Sequence, residues 1–133
     1  MATTTETALK ATTLSTSLTV NDIQRSISFF EGLGFAVDER WEDNGVLMGV
    51  MLKGGDVEIG LSQDDWKKGR DRQKGVGMRL FVTTKQDIDQ LAARARAAGV
   101  SLDSEPHDTE WKTRAFEVTE PSGFKLTIMS PAQ

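Results

Sequence analysis

The side chains that perform most covalent and metal chemistry in proteins are scarce in this sequence. It has no cysteine and no tyrosine, and His107 is its one histidine. Thiol catalysis and cysteine-ligated metals are therefore excluded, and one chain cannot form a site that needs two histidines. The remaining acid–base candidates are Glu58, Glu117 and Glu120, which are not clustered in the sequence. We therefore predict neither a catalytic residue set nor a cofactor.

Aromatic side chains suited to binding are better represented, with three tryptophans. Trp111 stands just before a predicted strand. It is either a stacking surface for a ligand or a residue of the core or of an interface. Trp41 lies within a strand, where an apolar strand face and a ligand contact are the alternatives. Trp66 lies in a charged segment without a local core, so we expect the other half of the chain, a second subunit or a ligand to cover it.

Charged residues complete the candidate binding site. Arg79 and Lys125 either orient an anionic or carbonyl group or pair with Glu58 or Glu117. Glu58 acts as a general base only if it is buried. The predicted ligand-binding set combines these residues with the tryptophans, two serines and one phenylalanine: Trp41, Trp66, Trp111, Ser15, Ser17, Glu58, Arg79, Phe81 and Lys125.

Composition excludes several classes of partner. The net charge is −4 and the sequence has no basic block, which disfavours binding to nucleic acid. No apolar run reaches the roughly 18 residues of a membrane span. The N-terminus lacks a secretory signal, so we predict a cytoplasmic protein. A length of 133 residues indicates a single domain.

The elements that position these residues begin with a strand from Leu14 to Val20. Asn21 or Asp22 can cap the following helix, whose apolar stripe ends at Gly34. Strands are predicted over 35–42 and 46–53, and a Gly-Gly-Asp turn leads to a further strand from Val57. The first half therefore has the order β-α-β-β-β.

The same order returns after a charged segment. A strand is predicted from Val76 to Val82, Thr84 and Asp87 form a capping-box pair, and the helix ends at Gly99. Short strands follow near 100–106, 113–118 and 124–129. The predicted organisation is a flexible tail, a first module, a linker and a second module within one domain: 1–13, 14–62, 63–74 and 75–130.

The repeat predicts an α+β fold. Two βαβββ modules would form a curved mixed sheet with helices outside and a concave pocket inside. The sequence leaves open whether the two halves pair within one chain or exchange between two chains.

Two segments carry a family resemblance. The segment LTVNDIQRSISFFEGLGF (residues 18–35) resembles the first strand and helix of the vicinal oxygen chelate superfamily, which includes glyoxalases, bleomycin-resistance proteins and dioxygenases. The segment WKTRAFEVTEPSGFKLT (residues 111–127) resembles the end of the bleomycin-resistance-like branch. The resemblance implies the paired-module fold and a pocket, and it makes a homodimer the expected assembly.

The resemblance also shows which residues would have to bind a metal in this chain. Metal-dependent members place four ligands on the concave face, and the corresponding residues here are Ser15, Gly60, Gly77 and Thr127. None of these is a strong ligand for a divalent ion. We therefore predict a metal-independent protein that sequesters a flat, partly apolar small molecule in a groove. The alternatives are a lyase or dioxygenase-type enzyme with an atypical metal site, and a domain whose pocket is vestigial.

Overall fold

A computed structural model describes residues 5–133 and confirms the predicted α+β fold of two βαβββ modules. The first module contains β1 (Thr16–Val20), α1 (Ile23–Leu33), β2 (Ala36–Asp43), β3 (Val46–Gly54) and β4 (Val57–Gln63). The second contains β5 (Leu80–Thr83), α2 (Ile88–Ala97), β6 (Leu102–Asp108), β7 (Arg114–Thr119) and β8 (Lys125–Met129). Of the predicted tail, residues 1–4 lie outside the described part, and residues 5–13 are exposed without helix or strand.

The strands form two open four-stranded sheets of the same topology. The first sheet has the order β1-β4-β3-β2 and the second β5-β8-β7-β6. In each sheet the first strand of the module pairs in parallel with the last, and the remaining pairs are antiparallel. Within residues 5–133, no backbone ladder joins the two sheets, so the strands form two open sheets where the repeat predicted one curved sheet.

Helix α1 begins and ends where the sequence predicts. The Asp22 carboxylate accepts hydrogen bonds from the backbone N–H groups of Gln24 and Arg25. These bonds satisfy donors that the first turn of a helix leaves free. Gly34 ends the helix in the left-handed conformation, with a φ of 108°, which glycine adopts without steric cost.

The start of α2 differs from the prediction. Asp87 is the N-cap, and its carboxylate accepts the Gln90 N–H at 3.0 Å. Thr84 instead accepts the N–H of Gln86 in the preceding turn. The predicted capping box between Thr84 and Asp87 is therefore wrong, because Thr84 lies three residues before the true cap.

Strand β5 is shorter than predicted and begins only at Leu80. Gly75 and Gly77 have φ values of 77° and 76°. These values lie outside the extended region, so the strand cannot run back through Gly77 to Val76.

The two helices lie between the two sheets. Each helix packs on the sheet of its own module, and α1 also contacts α2. The approach is close, because a Cβ atom on Gly32 of α1 would lie only 2.8 Å from Val100 Cγ2. Buried side chains of both modules form one hydrophobic core. Each sheet therefore has a helix-free face that points away from the other module.

In the part of the chain that the structure describes, neither helix is long and apolar enough to cross a membrane.

Candidate functional site

The helix-free face of the first sheet is built by strict alternation along its strands. Leu18 and Val20 of β1 are buried under α1, whereas Ser17 and Thr19 are exposed on the opposite face. The strand register places two rows of side chains across this face. One row runs Thr19, Ser62, Gly49 and Trp41, and the next runs Ser17, Gly60, Met51 and Glu39.

Two glycines allow two apolar side chains to lie close to this face of the sheet. A Cβ atom on Gly49 would lie 3.2 Å from Trp41 Cε3, so the indole covers that glycine. A Cβ atom on Gly60 would lie 3.7 Å from Met51 Cε. Both glycines are buried, while Trp41 remains 48% exposed. We call Trp41, Gly49, Met51 and Gly60 the platform.

Hydroxyl groups border the platform on one side. Ser17, Thr19 and Ser62 are all exposed on the same face, on the two strands β1 and β4. Each hydroxyl can donate one hydrogen bond and accept others. The platform therefore combines an apolar surface with a polar border.

Charges lie at one end of this face. The Lys53 ammonium lies 3.9 Å from Asp38 and 3.7 Å from Glu58, and all three side chains are largely exposed. Glu58 therefore pairs with Lys53, a partner that the sequence analysis did not consider, and an exposed, paired carboxylate is not a buried general base.

The helix-free face of the second sheet presents Phe81, which is 66% exposed and stands opposite Thr127 in the strand register. The Arg79 guanidinium donates a hydrogen bond to Thr127 Oγ1 at 3.1 Å and pairs with Glu117 at 3.0 Å. Arg79 is therefore paired with Glu117, while its role toward a ligand stays a prediction. Lys125 follows on the same face, beside a shallow depression lined by residues 75–79.

The other two tryptophans lie outside the strands of both faces. Trp66 is half-buried in the linker, with Arg70 at 4.9 Å and Lys74 at 5.0 Å from its ring centroid. The linker's own cations thus contact the ring, a source of cover that the sequence analysis did not consider. Trp111 is 70% exposed in the turn between β6 and β7. Ser15 is exposed just before β1.

The linker is held by an ion cluster that the sequence analysis missed. Asp64 lies 2.7 Å from Lys74, and both side chains are only 5% exposed. Arg72 approaches the same carboxylate at 3.3 Å. The hydrogen bond from Lys74, with a second from the Trp66 N–H, lowers the pKa of Asp64 from 3.8 to about 2. The sequence of this segment predicts a solvated run of mixed charges. The spacing of its charged residues does not indicate that Asp64 and Lys74 form a buried ion pair.

The acid–base candidates do not form a catalytic group. Glu58 and Glu117 are in ion pairs. His107 is exposed on β6, with Nδ1 at 2.7 Å from the Glu105 carbonyl oxygen. Glu120 is 1% exposed and accepts hydrogen bonds from the Ser26 hydroxyl and the Ser122 N–H. Glu120 therefore joins α1 to the turn between β7 and β8.

The fold and the sequence together decide the family. The sequence profile described as Glyoxalase/Bleomycin resistance protein/Dioxygenase superfamily matches residues 12–128. This chain belongs to that superfamily. No protein of curated function matches its sequence.

Several solved structures share the fold at low identity. A glyoxalase/bleomycin resistance protein/dioxygenase from Nocardioides is 20% identical with a TM-score of 0.70, over 96% of this chain and 87% of that chain. TioX from Micromonospora sp. ML1 is 18% identical with a TM-score of 0.69, over 92% and 98%. A bleomycin-binding protein in complex with bleomycin is 16% identical with a TM-score of 0.65, over 91% and 99%.

The residues that the resemblance places at metal-ligand positions do not fit a divalent metal. Gly60 and Gly77 have no side chain, and Ser15 and Thr127 offer only neutral hydroxyls, which are weak ligands beside imidazole and carboxylate. Gly60 is covered by Met51, and Thr127 accepts a hydrogen bond from a cation. Across residues 5–133, no three histidine, cysteine or acidic side chains converge to hold a metal ion.

Proposed function

We propose that this protein binds a flat, partly apolar small molecule on its helix-free faces without a metal. The platform is the observation that supports this function best. An indole whose edge packs on Gly49 and which remains half exposed offers an aromatic surface to a ligand, and the adjacent hydroxyls offer hydrogen bonds. A bleomycin-binding protein with the same fold shows that this architecture can accommodate a small molecule.

We infer that a second copy of the chain completes the groove. The helices lie between the two sheets, so the two helix-free faces of one chain point away from each other. Each face alone is open, whereas small-molecule sites are concave and enclose most of the ligand. In a two-fold symmetric dimer, the face with Trp41 from one protomer would oppose the face with Phe81 from its partner, twice.

The nine predicted ligand residues divide by position in this proposal. Trp41, Ser17, Glu58, Phe81, Arg79 and Lys125 belong to the two helix-free faces. Ser15, Trp66 and Trp111 lie before β1, in the linker and in the β6–β7 turn, where they would meet a ligand only at its ends. The cytoplasmic location and the absence of nucleic-acid partners stay predictions.

The experiment is a small-molecule screen read by tryptophan fluorescence on chelator-treated protein. The variant Trp66→Phe/Trp111→Phe leaves Trp41 as the single emitter, since the chain has three tryptophans. The matched variant Trp41→Phe/Trp66→Phe leaves only Trp111. Saturable quenching of Trp41 by a compound supports the proposal, and quenching of Trp111 would extend the site to the β6–β7 turn. A broad screen without any saturable change would contradict the proposal and favour a vestigial pocket.

A further inference from the structure

We propose that the helix-free face of the first sheet binds an oxyanion, such as a carboxylate, at the end that borders the linker. The ligand of this face is then an apolar molecule with one anionic group. This inference rests on the proposed binding function, and it names the charge that the ligand carries and the end of the face where that charge binds.

A depression of about 350 Å³ lies at this end of the face. Thr19 and Ser62 of the face line it, together with three cations and two carboxylates of the linker. Thr19 and Ser62 belong to the same row of side chains as Gly49 and Trp41. The depression therefore adjoins the row that contains the exposed indole.

The distance along this row suits one small molecule. The edge of Trp41 covers Gly49 of β3, and Gly49 stands opposite Ser62 of β4. Neighbouring strands of a sheet lie about 4.8 Å apart. A ligand of two fused rings that contacts the indole would therefore reach the depression with a substituent.

The buried carboxylate of Asp64 does not neutralise all the cations around the depression. Lys74 lies 2.7 Å from Asp64 Oδ2, and both side chains are only 5% exposed, so these two charges balance each other. Arg72 reaches the same oxygen at 3.3 Å with one nitrogen, and its side chain is 37% exposed. Because a guanidinium carries several N–H donors, one such contact leaves others for a ligand. The charge of Arg72 is therefore in excess.

Two lysines of the linker add to this excess. Lys67 lies 3.8 Å from Asp65, but both side chains are largely exposed, and such pairs are weak because water and salt screen them. Lys68 is exposed, and no ion pair within residues 5–133 uses its ammonium. Cations therefore outnumber carboxylates around the depression, although the net charge of the whole chain is −4.

The opposite end of the same face is acidic. Asp38 and Glu58 share Lys53 there, and Glu39 stands opposite Met51. An oxyanion at that end would meet three carboxylates and one ammonium, which repels it. The charges therefore orient an anionic ligand, with its apolar body at the indole and its anionic group at the linker.

The test compares three probes of similar shape and different charge. Calorimetric titration of the full chain measures the anion 2-naphthoate, the neutral 2-naphthamide and the cation 2-naphthamidine. We expect 2-naphthoate to bind roughly tenfold or more tightly than either of the others, because hydrogen bonds between charged groups are the strong ones. Its affinity should fall as the salt concentration rises, since salt screens exposed charges.

A charge reversal locates the bound anion. Lys68→Glu changes an exposed side chain outside the ion pairs, and it should reduce the preference for 2-naphthoate by roughly threefold or more. Arg72→Gln should reduce the preference as well. Arg25→Glu is the matched control, because it changes the net charge equally at an exposed position of α1, on the other side of the same sheet, and should leave the preference unchanged.

Several outcomes would overturn the inference and leave the proposed binding function in place. They are equal binding of the three probes, tighter binding of 2-naphthamidine, a preference that both Lys68→Glu and Arg72→Gln retain, and an equal loss of preference in Lys68→Glu and Arg25→Glu. Binding of none of the probes would also overturn it, and the broader compound screen would then judge the proposed function separately.

Discussion

At the scale of single residues, Trp41 shows how the sheet converts a packing residue into a binding surface. The Cε3 edge of its ring packs on Gly49, while 48% of the residue remains exposed. Apolar surface left in water is a source of binding free energy, at about 25 cal/mol per Å² when a ligand covers it. A ligand that covers the exposed part of the indole would therefore gain binding free energy from this apolar surface.

Replacing Trp41 with alanine should weaken binding of a planar ligand by roughly 1 kcal/mol or more, about fivefold in Kd, because the stacking surface is lost. Isothermal titration with a ligand from the screen measures the change. Val46→Ala, in the β2–β3 hairpin, is the control with an exposed apolar side chain outside the predicted ligand set, and it should bind normally. Unchanged affinity in Trp41→Ala would remove the platform from the site.

Asp64 provides a pH-dependent prediction at the same scale. Its pKa is about 2 in the folded chain against an ordinary value of 3.8. A carboxylate with a lowered folded pKa contributes stability above pH 3.8, and this contribution is lost as the pH falls toward 2. At pH 7, Asp64→Asn should therefore unfold at a lower temperature than the wild type.

The difference in melting temperature between the two proteins should narrow as the pH falls from about 5 to 2, as the linkage relation requires. Calorimetric scans at several pH values measure it. Asp89, whose pKa is lowered by the hydrogen bond from Arg114, acts in the same direction in both proteins and cancels in the difference. A constant difference across this pH range would show that the Asp64 charge does not stabilise the linker.

At the scale of elements, the sequence predicted the ends of a helix where neighbouring residues determine them. Asn21 or Asp22 was predicted to begin α1 and Gly34 to end it, and the structure selects Asp22, because a cap depends on residues within one helical turn. The same rules misplaced the start of α2, where Thr84 and Asp87 are both residues that cap helices. Strand β5 was predicted too long, because alternation at Val76 and Met78 looks extended and the positive φ values of Gly75 and Gly77 depend on the neighbouring turn.

The hydrogen bond between Ser26 of α1 and Glu120 of the β7–β8 turn makes a contribution to the free energy of unfolding that can be measured. Ser26 is fully buried and donates to Glu120, whose other hydrogen bonds come from Ser122. Ser26→Ala should lower the free energy of unfolding by about 1–3 kcal/mol, since it leaves a buried carboxylate oxygen without its donor. Urea denaturation measures the change. Ser28→Ala, on the exposed side of the same helix, should be nearly neutral, and equal effects in the two variants would contradict the role of the joint.

At the scale of the whole molecule, the sequence predicted the repeat and the contents of the faces but not the relation of the modules. Periodicity placed Ser17 opposite the core, because alternation is a property of one strand. It did not reveal that Trp41 covers Gly49 or that Arg79 pairs with Glu117, since these contacts join different strands. It left open how the halves pair, and the answer depends on the packing of α1 against α2, which Gly32 permits.

The orientation of the modules predicts a dimer. Sedimentation equilibrium should give about 29 kDa, twice the 14.6 kDa of one chain. Phe81→Glu should shift the protein toward the monomer, because a charge would replace an exposed apolar side chain at the inferred interface. Val46→Glu, in the β2–β3 hairpin, is the control with a similarly exposed side chain and should leave the dimer intact. A monomeric wild type at micromolar concentration would contradict the shared groove.

The most direct test of metal-independent binding compares the binding isotherm of one ligand before and after removal of metals from the protein. A planar ligand from the screen is titrated into the protein before and after exhaustive chelation, and the metal content of each sample is determined by mass spectrometry. The residues at Ser15, Gly60, Gly77 and Thr127 predict the same Kd in both titrations and no stoichiometric divalent metal. Loss of binding on chelation, with recovery when a stoichiometric metal is restored, would contradict the account and place the protein among the metal-dependent members of its superfamily.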